Sequence, residues 1–180
     1  LVIPVMATVG LASSLGGRAT QVLLRALSLV AIGSALVAGI VGGLLRAGVA
    51  VPLPAAEAAW PAQAAMGHAF QMMSAFMGSV IGIERAVAVR HRAALAAPLL
   101  SMGAGVTLLT GSPRAAAWLA VAAALVFVGV NLVVVERQRA PHTVLLLLGA
   151  LAWLVGNLLL GLSPNATLAI PWWFSFLVLT

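Results

Sequence analysis

The chain has 180 residues, of which 63% are hydrophobic and 7% are charged. An ordinary soluble domain carries roughly 25% charged residues, so this composition excludes a water-soluble globular protein. The basic residues are nine arginines, which with three glutamates give a net charge of +6. They lie singly or in short clusters between apolar runs, which argues against nucleic acid as a partner. Because the chain has no cysteine, disulfides and thiolate metal sites are excluded.

Long apolar runs dominate the chain from its first residue onward. A helix needs about 20 apolar residues to cross the hydrocarbon core of a bilayer, and it must satisfy its own backbone hydrogen bonds there. The sequence therefore predicts an all-α fold, a polytopic transmembrane helix bundle of six to seven membrane-spanning helices that forms one domain over residues 1–180. The expected spans are approximately 1–17, 24–45, 62–83, 93–111, 115–135 and 143–162, with an incomplete span at 169–180.

The arginines predict how this bundle is oriented. Short loops that are rich in arginine stay on the cytoplasmic side of the membrane. If the spans alternate, seven of the nine arginines fall on one side, in the loops 18–25, 84–92 and 136–142. We therefore expect a multi-pass protein of a bacterial inner (cytoplasmic) membrane with these three loops in the cytoplasm. The Glu84–Arg85 pair is then interpreted as an anchor whose arginine reaches toward the membrane surface.

Small residues at helical spacing predict close contacts between helices. Gly39 and Gly43 form one GxxxG pair, and Gly78 and Gly82 form another. Such pairs let helix backbones approach each other where lipid gives no hydrophobic drive to association. We interpret both pairs as packing surfaces.

The third span carries polar side chains within an apolar run. On a regular helix each residue advances by about 100°, which puts Gln71 at about −60° and Met72 at about +40° from His68. Met73 and Met77 fall on the opposite face, so one helix cannot gather all these sulfur atoms around a copper ion. Asn157 in the sixth span lies at a depth similar to that of His68. The candidate cofactor-binding residues are therefore His68, Gln71, Met72 and Asn157, with His68 as the candidate metal ligand.

Two interpretations of these polar residues remain open. Polar groups within a span usually face the bundle interior and are often functional. The alternative is a set of interhelical hydrogen bonds, each contributing under about 1 kcal/mol on average. His91 and His142 lie in or beside the arginine-rich loops and are expected to be ordinary interfacial histidines.

Three stretches of the chain look familiar. The segments HAFQMMSAFMGSVIGIERAVAVR, APHTVLLLLGALAWLVGNLLLG and PWWFSFLVLT resemble an uncharacterised family of polytopic bacterial membrane proteins. More distantly, the His-x-x-x-Met pattern of His68 and Met72 is similar to the NnrS family, haem- and copper-associated membrane proteins linked to nitric oxide metabolism. The NnrS resemblance implies haem b or copper as a cofactor, with His68 as its ligand.

These observations support three hypotheses about function. The first is a haem- or metal-associated membrane protein that uses His68. The second is a structural or accessory subunit of a larger membrane complex, because the spans are rich in glycine and alanine and poor in reactive groups. The third is a small-solute transporter, although no carboxylate lies in the middle of a span. No catalytic motif indicates an enzyme, and the expected partners are the lipid bilayer and other membrane subunits or a second copy of the chain.

Overall fold

The computed structural model describes the backbone of residues 3–52, 59–163 and 165–180, and the side chains of residue 23 and of 25–52, 59–163 and 165–180. All regular secondary structure in these ranges is helical, which confirms the all-α prediction. In chain order the helices are α1 (Ile3–Arg46), α2 (Trp60–Met66), α3 (His68–Val89), α4 (Arg92–Leu109), α5 (Pro113–Arg137), α6 (Pro141–Leu162) and α7 (Ala166–Leu179).

Five described segments are long and apolar enough to cross a membrane: Arg25–Arg46 within α1, and the whole of α3, α4, α5 and α6. The shorter α7 has 14 residues and is also apolar. The prediction of several helices long and apolar enough to cross a membrane is therefore confirmed for these five segments.

The helix α1 corrects the predicted start of the bundle. Residues 18–25 were expected to be a loop between spans 1–17 and 24–45, but Ile3–Arg46 is one uninterrupted helix of 44 residues. No proline occurs between Pro4 and Pro52. Glycine inside a helix costs only about 1 kcal/mol relative to alanine, so the Gly-Gly pair before Arg18 is too weak to end the helix. The arginine cluster marks a change in polarity along this helix and no change in its backbone.

Two other predicted loops are shorter than expected. Within 84–92 the helix α3 continues to Val89 and ends at Arg90, whose φ of 57° is left-handed. Within 136–142 only 138–140 lie outside helices. Helix geometry persists past the membrane-facing residues because nothing before Arg90 interrupts the backbone hydrogen bonds. As a result Arg85, expected to reach the surface, stays on the helix and is only 8% exposed.

The predicted third span, 62–83, is divided in the structure. The short helix α2 ends at Gly67, and α3 begins directly at His68. Residues Gln71–Met77 of α3 form a π-helix, in which the Gly78 amide donates to the Met73 carbonyl five residues back. Such segments are rare and frequently occur at functional sites. The π-helix lies at the centre of the bundle, where it packs against α1, α4 and α7.

Consecutive helices from α4 to α7 pack side by side, and α1 packs against α2 and α3. The turn between α4 and α5 uses Gly111 with a φ of 86°, a conformation that L side chains rarely adopt. The core is aromatic where α5, α6 and α7 meet. Trp153 stacks on Phe176 with ring centroids 5.0 Å apart, and Phe127 meets both rings edge-on. This cluster fixes α7 on the bundle.

Candidate functional site

His68 is held by a backbone carbonyl of α1. Its Nδ1 lies 2.7 Å from the Gly39 carbonyl oxygen, and the side chain is half-buried. A carbonyl only accepts hydrogen bonds, so Nδ1 must carry the proton. In the neutral ring Nε2 then has a free lone pair. The hydrogen bond at Nδ1 fixes the ring, and Nε2 is then the nitrogen that can bind a metal.

Met72 and His68, both on α3, pack against the small residues Gly39 and Gly43 of α1. A Cβ added at Gly39 would lie 2.5 Å from Met72 Sδ, and one added at Gly43 would lie 2.9 Å from His68 Cε1. Contacts this short mean that a larger residue at either position would force Met72 or His68 to move. The interpretation of this GxxxG pair as a packing surface is therefore confirmed, and the residues it accommodates are His68 and Met72.

Gln71 faces a different helix. Its side chain is fully buried, and Nε2 donates to the Gly105 carbonyl of α4 at 3.1 Å. Its Oε1 is buried and has no hydrogen-bond partner. A buried acceptor without a partner costs about 1–3 kcal/mol and requires an explanation.

Asn157 is the centre of a buried polar network. Its Oδ1 accepts from Ser74 Oγ at 2.8 Å and from Trp173 Nε1 at 3.2 Å. Trp153 Nε1 donates to Ser74 Oγ at 3.3 Å. Because an indole N–H can only donate, Trp173 fixes the amide with its oxygen toward the network. The amide Nδ2 then points elsewhere, buried and without a partner.

The four predicted residues therefore do not meet at one place in the structure. His68 and Met72 meet α1, Gln71 meets α4, and Asn157 is hydrogen-bonded to Ser74 instead of to any of them. On a regular helix Ser74 lies about 120° around the axis from His68. A helical wheel therefore places it away from the face that carries His68 and Met72. Their shared role in one cofactor site stays a prediction.

Ser74, Trp153 and Trp173 were missed by reasoning from the sequence. One signal was available: Trp153 and Asn157 are four residues apart and therefore share a face of α6. An indole and an amide on one face of a transmembrane helix predict a polar contact with a neighbouring helix. The neighbouring helix that supplies the partner of Asn157 depends on how the helices pack.

A haem or metal ion fits this site only in part. Among the described residues no three histidine or carboxylate side chains come together. His91 follows the other end of α3 from His68, so the two cannot share a ligand within one chain. What the site offers is a single imidazole nitrogen at His68, oriented by Gly39.

A cavity lies close to this network, at the end of the bundle where α2, the start of α3, and α4, α5, α6 and α7 meet. Its volume is ≈ 600 Å³, and its lining includes Gln63, Gly67, Phe70, Leu108, Arg114 and Gly161. Phe70 is buried and meets Trp173 edge-on, with ring centroids 6.2 Å apart. A single pair of aromatic rings therefore connects the cavity to the Asn157 network.

Comparison with known proteins gives a family without a described activity. No curated protein and no solved structure matches the chain. One family model, described as Domain of unknown function (DUF8744), matches residues 25–180, which is most of the sequence. The chain therefore belongs to the DUF8744 family.

Proposed function

We propose that the protein is a multi-pass protein of a bacterial inner membrane, in which the five long segments are crossings and the shorter α7 is part of a further span. Large apolar side chains exposed on the outside of the bundle, such as Leu29, Val37 and Phe174, support contact with lipid. Arg137 donates to the Val89 carbonyl at 3.2 Å, so the regions 84–92 and 136–142 lie at the same end of the bundle. The excess of arginine at that end supports a cytoplasmic placement.

For its activity we propose binding, as part of transport, of a small apolar solute with an acidic head group. The observation that carries this proposal is the ≈ 600 Å³ cavity, whose volume suits a ligand of this size. Most of its lining is apolar, while Arg114 supplies a guanidinium that binds a carboxylate through two parallel hydrogen bonds. Gln63 adds a polar group at the same cavity.

Gln71 and the Asn157 network supply polar groups deeper in the bundle. Gln71 Oε1 is an acceptor without a partner, and Asn157 Nδ2 is a donor without a partner. Polar side chains in the middle of spans commonly mark solute pathways. Phe70 and Trp173 lie between the cavity and this network, where a movement of either ring would join them.

The test uses cis-parinaric acid, a fluorescent fatty acid, and its methyl ester, with the detergent-purified chain. Arg114→Ala is expected to weaken binding of the acid about tenfold, the loss of one charge-assisted hydrogen-bonded pair, and to leave binding of the ester unchanged. Arg46→Ala is the matched control, because Arg46 is exposed at the end of α1 and does not line the cavity. Equal affinities of the wild type and Arg114→Ala for the acid would contradict the proposal.

A second candidate function rests on His68. The Gly39 carbonyl holds the ring with Nε2 free, the state in which an imidazole would bind a haem iron or a copper ion. We propose that His68 supplies this single ligand, with Met72 beside it, as the NnrS resemblance implies. A bound haem would supply redox or gas-binding chemistry that the described side chains lack.

An absorption spectrum and metal analysis of the purified protein test this second function. The expected result is a Soret band or stoichiometric copper that His68→Ala removes and that His91→Ala, a histidine at the other end of α3, retains. A wild-type preparation supplied with haem and copper that holds neither would rule it out.

A further inference from the structure

We propose that the groove between the end of α3 and the helix α5 binds one anionic phospholipid, with an acyl chain in the groove and the phosphate at its arginine-rich mouth. The groove has a volume of ≈ 360 Å³, and residues that line it include Val89, Ala94, Val126, Gly129, Val133 and Arg137. Its walls are thus valine, alanine and glycine, while a guanidinium stands at one end. This arrangement matches the order of apolar chain and charged head in a phospholipid.

The guanidinium of Arg137 is fixed at the mouth. Its NH1 donates to the Val89 carbonyl at 3.2 Å. That carbonyl belongs to the last turn of α3, where carbonyl oxygens lack partners within the helix, because the left-handed Arg90 ends α3. The remaining N–H groups of Arg137 stay available for a phosphate oxygen.

His91 adds a second donor at the same mouth. Its Nδ1 accepts a hydrogen bond from the Ala93 amide at 3.3 Å, and an amide can only donate. The proton of the neutral ring is therefore on Nε2, which leaves an N–H donor for a phosphate. His91 lines the groove and is exposed.

The charge of this end suits an anion. Five arginines lie on the two segments that border the mouth, against two glutamates: Arg85, Arg90, Arg92, Arg137 and Arg139, against Glu84 and Glu136. Arg85 precedes Val89 by one turn on the same face of α3. It is 8% exposed, and its Nε is buried without a partner. The excess of positive charge thus includes a buried cation whose hydrogen bonding is incomplete.

The groove is open to the surface that faces lipid. Gly129 lines it and is exposed, and a Cβ added there would meet no atom within 4 Å. Leu125 and Leu132 on the same helix are 55% and 46% exposed. An acyl chain therefore enters sideways from the bilayer, whereas a water-soluble peptide would have to cross the head-group layer. Anionic lipids and basic side chains attract each other at this depth.

Native mass spectrometry of the detergent-purified chain tests the site. The probes are dioleoyl phosphatidylglycerol, dioleoyl phosphatidylcholine and inorganic phosphate. We expect one phosphatidylglycerol to be retained. Phosphatidylcholine, whose choline cation cancels the charge of its phosphate, and inorganic phosphate, which has no acyl chain, should each be retained about tenfold less. Gly129→Leu, whose Cβ would meet no atom within 4 Å and whose side chain would occupy part of the groove, and Arg137→Gln are each expected to lower retention of phosphatidylglycerol by about tenfold.

Two matched controls accompany these variants. Gly33→Leu puts the same side chain at a glycine of α1 that also has open space around it. Arg46→Gln removes one charge from an exposed arginine at the end of α1, outside the two segments that border the mouth. Both are expected to retain phosphatidylglycerol as the wild type does. Wild-type retention of phosphatidylglycerol by Gly129→Leu, or equal retention of both lipids by the wild type, would overturn the proposal.

Discussion

The Nδ1 of His68 and the carbonyl oxygen of Gly39 lie 2.7 Å apart, although 29 positions separate them in the chain. This hydrogen bond joins the first residue of α3 to α1. It also fixes which ring nitrogen carries the proton, and that nitrogen determines the chemistry open to His68. Because Nδ1 donates a hydrogen bond, Nε2 of the neutral ring keeps the lone pair that can bind a metal.

We expect the neutral forms of His68 and His91 to be opposite tautomers. His68 carries its proton on Nδ1 because Nδ1 faces a carbonyl, and His91 carries its proton on Nε2 because its Nδ1 accepts from an amide. Nitrogen-15 NMR of histidine-labelled protein distinguishes the two ring nitrogens directly. The same tautomer at both sites would contradict the hydrogen bonds described here.

Gly43→Ala is expected to destabilise the bundle by about 1–3 kcal/mol, because the new methyl group would press on the His68 ring. Gly33→Ala on the same helix meets no atom within 4 Å and should stabilise by up to about 1 kcal/mol through better helix propensity. Equilibrium unfolding in mixed detergent and SDS measures both. Equal effects of the two substitutions would show that the α1–α3 contact is looser than described.

Asn157→Leu is expected to cost about 1–2 kcal/mol, because Ser74 and Trp173 lose a shared acceptor. Asn131→Leu is the matched substitution. Asn131 donates only to the Phe127 carbonyl of its own helix and has a buried Oδ1 without a partner, so its loss should be nearly neutral. Thermal unfolding compares the two variants, and a larger loss for Asn131→Leu would remove the network's stabilising role.

Arg90→Gly is expected to stabilise the end of α3 by about 1 kcal/mol, because a non-glycine residue at a φ of 57° is strained. The nearby Arg92→Gly removes the same charge from the first turn of α4 and should destabilise by a similar amount. Chemical unfolding of both variants separates backbone strain from charge. If both lose stability, the left-handed turn at Arg90 carries no strain.

Much of the fold follows from the length of the apolar runs. The helices α4, α5 and α6 begin and end within a few residues of the predicted spans 93–111, 115–135 and 143–162. Prolines and a left-handed glycine mark these ends in the sequence. The predicted loop 18–25 had arginines but no such breaker, and the helix continues through it. The arginines of residues 18–25 predict where the chain leaves the membrane. The helix continues past them because no proline or left-handed glycine interrupts its backbone hydrogen bonds.

The candidate site was only partly accessible from the sequence. The face shared by His68 and Met72 was predicted from helical spacing, and both residues do lie against the Gly39–Gly43 pair. The partner of Asn157 depends on which helices become neighbours. The cavity beside Phe70 depends on how six helix ends meet, a property that no local pattern encodes.

The π-helix Gln71–Met77 changes how any substitution scan of α3 should be interpreted. A segment with wider turns shifts the angular phase of every residue after it, so a wheel drawn from His68 no longer predicts the faces of Ser79 or Arg85. Tolerance to substitution along α3 should therefore show two blocks, each periodic but out of phase with the other. An average over the whole helix would erase the signal that marks its buried side.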